Sequence, residues 1–116
     1  MPSPVRIALA LLLAALAPAA QARLAIPSIL GDGAVLQRDK PAPVWGRAEP
    51  GAAVTVRYPG QSAAAVAGPD GRWSATLAPL PASPAGHPLE ISTATERVVS
   101  REVRVGEVWL LAGQSN

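Results

Sequence analysis

Apolar and polar residues alternate along much of this chain. In Val54-Thr55-Val56-Arg57-Tyr58, Val54, Val56 and Tyr58 share one face, and Thr55 and Arg57 the other. Trp73, Ala75 and Leu77 alternate with Arg72, Ser74 and Thr76, Leu89 and Ile91 flank Glu90, and Val103 and Val105 alternate with Glu102 and Arg104. A period of two predicts strands with one buried and one wet face. Turn residues separate them. Glu49-Pro50-Gly51 closes a segment around Trp45-Gly46. Pro69-Asp70-Gly71 lies between Ala63–Ala67 and Arg72–Leu77, with the Asp-Gly chemistry of a tight hairpin turn. Pro79 to Pro88 holds four prolines in ten residues and reads as a loop. Short strands between such signals predict a mainly β chain, a small antiparallel β-sandwich over residues 23–105.

The stretch Glu107-Val108-Trp109-Leu110-Leu111-Ala112 departs from this pattern. Val108 to Ala112 is apolar without alternation, as in strands of parallel sheets that helices cover on both faces. Only Gly113-Gln114-Ser115-Asn116 follows. Residues 106–116 are therefore expected to be the start of a second, truncated domain, the alternative being a central strand of the sandwich itself.

The N-terminus has a different character. Arg6 precedes Ile7 to Ala17, an apolar run of eleven residues, and Ala20-Gln21-Ala22 follows with small residues at the positions a signal peptidase reads. The run is too short to span a membrane, which takes about 20 residues. Residues 1–22 are expected to be a signal peptide, making the protein secreted or periplasmic and free of the membrane once cleaved. The full chain carries a net charge of +2. Without residues 1–22, nine basic residues face eight acidic ones, scattered singly, which excludes the clustered basic footprint of a nucleic-acid binder. There is no cysteine, so disulfides and thiolate metal sites are excluded. Phe is absent too, so Val, Leu, Ile and three Trp must supply the core.

The candidate chemistry sits at the end of the apolar stretch. A serine on the turn after a buried strand is lifted clear of the sheet. Gly113, two residues earlier, permits a sharp bend, and the Ser115 N–H can serve an oxyanion hole. Gly and Ser are also ordinary turn residues. More specific is that Glu107 to Asn116 resembles the nucleophile block of the sialate O-acetylesterases. Gly31-Asp32-Gly33-Ala34-Val35-Leu36-Gln37-Arg38, Pro43-Val44-Trp45-Gly46, Glu49-Pro50-Gly51 and Asp70-Gly71-Arg72-Trp73 resemble further motifs of that family, in the same order. Ala34 stands where a methionine is common. The resemblance implies a carbohydrate esterase with an SGNH-hydrolase-like α/β/α domain, acting on an O-acetylated sugar or glycan through a serine acyl-enzyme and needing no cofactor. Ser115 matches the nucleophile position. The acid and histidine of the Ser-His-Asp type site have no counterpart in these 116 residues, which alone are expected to be inactive.

Other residues weigh less. His87, the only histidine, is read as an exposed loop residue, and Asp32 and Asp70 as turn formers beside glycine. No His, Asp and Glu cluster has metal-ligand spacing. Trp45, Trp73 and Trp109 are expected in the core in place of Phe. Aromatic rings on a β-sandwich can also stack on sugars, so the alternative reading is a non-catalytic exported β-sandwich module that binds glycans or acts structurally. The signal-peptide reading predicts that mass spectrometry of the exported protein shows a chain starting at Arg23; a mature product retaining residues 1–22 contradicts it.

Overall fold

In the computed structural model, residues 23–108 are described. They form seven strands: β1 (Val35–Gln37), β2 (Ala42–Arg47), β3 (Ala53–Tyr58), β4 (Gln61–Val66), β5 (Arg72–Leu77), β6 (Ser83–Ser92) and β7 (Arg97–Gly106). One 3₁₀ turn, Ser28–Leu30, precedes them, and no α-helix occurs among the described residues. The chain is mainly β, as its alternation requires.

Two sheets share the strands. One has the order β1-β7-β6-β3-β4, and the other pairs β2 with β5. The predicted inward faces are the buried ones. Val54, Val56 and Tyr58 of β3 point inward with Leu89 and Ile91 of β6 and Val103 and Val105 of β7. From the smaller sheet, Val44, Trp73, Ala75 and Leu77 join the same cluster. Fully burying one such aliphatic side chain contributes roughly 1.5–3 kcal/mol.

Most ladders are antiparallel, but β1 runs parallel to β7, with Leu36 opposite Val105. Alternation within a strand cannot reveal this pairing, because β1 has only three residues and its partner lies far along the sequence.

The Pro69-Asp70-Gly71 turn forms, yet it does not close a hairpin. The Gly71 N–H donates to Gly68 O at 2.9 Å and the Gly68 N–H to Arg72 O at 2.8 Å. Beyond it β4 pairs with β3, whereas β5 pairs with β2. The divergence has a local cause: the Ala48 N–H donates to Gly71 O at 2.8 Å, drawing the turn to the end of β2. Gly71 has φ +80°, and a Cβ there would sit 2.8 Å from Ala48 O, so only glycine fits.

The proline-rich stretch differs most from expectation, because β6 takes in Pro84 and Pro88. Only residues 90–92 of β6 pair with β3, leaving one edge of its first half without a strand partner among the described residues. The ladder to β7 is also broken by register shifts between Ser83 and His87 and between His87 and Leu89. An unpaired edge and a bulge are where a strand tolerates a missing N–H.

Two buried hydroxyls fasten the larger sheet. Ser100 Oγ donates to Leu30 O at 2.6 Å, and Tyr58 Oη to Val103 O at 2.6 Å. Burial pushes the Tyr58 phenol above its ordinary pKa. A raised phenol pKa means that the contribution of neutral Tyr58 is complete below the unfolded-state value of about 10 and is lost as pH rises through the folded value. Tyr58→Phe should therefore destabilise the domain by about 1–3 kcal/mol at neutral pH, leaving the Val103 carbonyl without its donor. The gap should narrow above about pH 10. Denaturant unfolding of both proteins at pH 7 and pH 10.5 checks this, and a gap that widens with pH contradicts it.

Candidate functional site

Ser115 and its Gly113–Asn116 block lie outside the described residues, as does Trp109. What the structure does describe is the chain leading to them. The Gly31–Arg38 motif wraps around β7. The Gly33 N–H donates to Arg101 O at 2.8 Å, and Asp32 Oδ1 accepts the Arg101 N–H at 2.7 Å. The Arg104 N–H donates to Ala34 O and the Arg38 N–H to Gly106 O, both at 2.9 Å. Gln37 completes the grip: its Oε1 accepts the Val108 N–H at 3.1 Å, and its Nε2 donates to Arg38 O at 3.2 Å. Nε2 also reaches Glu107 Oε2 at 3.5 Å. Asp32 is thus a turn former that also ties two distant segments. Backbone direction at Val108 is set by β1. Sequence reasoning missed the role of Gln37, for which a lone polar residue at a strand end gives no signal.

His87 is not the exposed loop residue expected. It lies half-buried within β6, its ring edge-on to Tyr58 with centroids 6.1 Å apart and planes at 85°. Strand pairing and the Tyr58 contact account for its position. Asp70 is the turn former expected, its Oδ1 accepting the Arg72 N–H at 3.0 Å. No group of three His, Cys, Asp or Glu residues among the described ones could hold a metal.

The tryptophans divide. Trp73 is buried at 3% exposure, while Trp45 is 41% exposed. Trp45 does not belong to the core as expected, because Ala42, Val44 and Gly46 occupy the inward positions of β2. Gly46 in turn pairs with Trp73. A Cβ at Gly46 would collide with Ala25 O and lie 3.1 Å from Trp73 Cζ2, so glycine here admits both the indole and the crossing Ala25 backbone. That backbone is bonded to Arg47 in both directions, at 2.9 Å each. The Trp73 Nε1 is buried without a hydrogen-bond partner among the described residues.

Trp45 borders an open groove of about 890 Å³, walled by Ile26, Pro27 and Val66 and flanked by Arg47, Arg72 and Ser74. Its lining has hydroxyl and guanidinium groups but neither carboxylate nor imidazole.

No protein-family model matches the chain. A sialate O-acetylesterase from Rattus norvegicus is 35% identical over 127 residues, an alignment covering 99% of this chain and 23% of that protein. A carbohydrate acetylesterase from Xanthomonas citri, known from its crystal structure, superposes with a TM-score of 0.70 at 39% identity, covering 73% of this chain and 19% of that one. The chain thus spans about a quarter or less of the length of either relative. Alike along nearly its whole sequence to the one and in fold to the other, the chain is related to the sialate O-acetylesterase family of carbohydrate esterases.

Proposed function

We infer that this chain is the front part of an exported carbohydrate O-acetylesterase, in which the β-sandwich is an accessory layer and Ser115 is the nucleophile. The observation that carries this reading is the 35% identity to a sialate O-acetylesterase along 99% of the chain. Also in its favour, the quoted motifs stand in the family's order and end in Gly113-Gln114-Ser115-Asn116. The substrate is an acetylated sugar. Ser115 Oγ attacks the acetyl carbonyl as a base takes its proton, and the sugar hydroxyl leaves with a proton from that base. Water then releases acetate and restores the serine. Base and orienting acid belong to the complete enzyme, because a serine hydroxyl reacts well only beside a positioned base.

Two measurements test this. In the full-length enzyme, Ser115→Ala should lower kcat on an O-acetylated sugar by about 10⁶ while leaving the circular dichroism spectrum unchanged, since members of a triad act as a unit. His87→Ala, whose residue faces Tyr58 in the sandwich, should keep nearly full activity. Substantial turnover by folded Ser115→Ala would place the nucleophile elsewhere. The 116-residue chain on its own should hydrolyse 4-nitrophenyl acetate no faster than its Ser115→Ala variant, and a clear difference between them would show that a base is already present.

A further inference from the structure

In the β2–β5 ladder, Arg47 stands directly opposite Arg72 and Trp45 directly opposite Ser74. All four are exposed and share the outer face, since their neighbours Val44, Trp73 and Ala75 point into the core. Directly opposed residues on one face have Cβ atoms only about 4.5–5.5 Å apart, and like charges so placed weaken a sheet. A two-stranded ribbon has little stability to spare for such a pair. A carboxylate lies beside Arg72. Asp70 Oδ2 lies 3.7 Å from Arg72 Nε, a long and solvent-exposed contact of the kind that contributes little. Next to the arginines, Trp45 exposes 41% of its surface and Val66 68%, both bordering the groove.

We propose that this outer face binds a sugar ring carrying a carboxylate. The indole of Trp45 offers a flat apolar surface to the ring's C–H face, the use to which half-exposed tryptophan is suited. Arg47 and Arg72 form a planar, multi-donor cradle for the carboxylate, relieving the repulsion between them. Ser74 supplies a hydroxyl for ring oxygens beside the indole. The choice of a sugar as ligand rests on the esterase reading above, whereas the acidic group follows from the two arginines. The face would hold an acidic glycan near the enzyme while acetyl removal proceeds elsewhere.

The test uses the full-length protein and two probes that differ in charge, trigalacturonic acid and neutral galactotriose, with affinities read by isothermal titration. The acidic trimer should bind about tenfold or more tightly than the neutral one, and less tightly as salt is raised. Trp45→Ala should weaken both about tenfold. The Arg47→Gln/Arg72→Gln double variant should bring the acidic trimer down to the level of the neutral one. Trp45→Ala should keep the wild-type melting temperature, the double arginine variant should melt at or above it because the opposed charges are gone, and both should keep wild-type hydrolysis of 4-nitrophenyl acetate. Equal affinity for the two trimers, no binding of either, or acidic-trimer binding that neither variant changes would overturn the proposal. Lowered melting temperature in the variants with trimer binding intact would also overturn it, showing that another part of the protein covers this face. Failure of the esterase reading looks different, because Ser115→Ala would then leave turnover intact without altering these affinities.

Discussion

The fold depends on burying the inner face of a two-stranded sheet that could not persist alone. A ribbon of two strands is marginal in water. β2 and β5 hold because Val44, Ala75 and Leu77, at 0–3% exposure, merge with Val54, Val56, Leu89 and Ile91 of the larger sheet into one cluster. Hydrophobic transfer supplies that stability against the conformational entropy of ordering seven short strands. The chain crosses between sheets at Gly68 to Arg72, where Gly71 takes a backbone conformation closed to other residues.

The elements that the sequence made legible are those whose signal is local. β3, β5 and the later halves of β6 and β7 carry strict alternation, and each buries the face it predicts. The Glu49-Pro50-Gly51 turn is equally local, closed by the Ala52 N–H on Glu49 O at 2.9 Å. What escaped prediction depends on distant partners. Pro84 and Pro88 fit a strand because β3 pairs only with residues 90–92 of β6, a fact of sheet topology. Trp45 is outward because its neighbour Gly46 must admit Trp73 from the next strand. The pairing of β1 with β7 joins segments about 70 residues apart, and no local pattern encodes it. Of the candidate site, Ser115 is legible only through resemblance to a family, since a Gly-x-Ser turn alone is too common to decide anything.

Motifs that look separate in the sequence prove to be joined. Pro43-Val44-Trp45-Gly46 and Asp70-Gly71-Arg72-Trp73 meet residue by residue in one ladder, with Gly46 opposite Trp73. Gly31 to Arg38 wraps β7, and its Gln37 holds Glu107 and Val108. These stretches are similar to a family of enzymes, yet in the described residues their visible work is architectural. One set seals the smaller sheet, and the other fixes how the chain departs from the larger one.

That division bears on how the sandwich would be coupled to the proposed nucleophile. Ser115 follows Val108 by seven residues, and an extended chain gains at most about 3.3–3.6 Å per residue. Whatever conformation those residues take, the serine is tethered within about 25 Å of a backbone atom that Gln37 holds. A change that loosens the β1–β7 clasp would therefore shift the point from which the chain runs on to Ser115, the nucleophile proposed above, with no direct contact. Small misplacements of that kind are expensive in catalysis, because an error of about 1 Å in a reacting group can cost 10²-fold in rate. Under that proposal the polar side chains of Asp32 and Gln37, each bonded to a backbone N–H some 70 residues away in sequence, would be positioning groups, since they fix where the chain leaves the larger sheet.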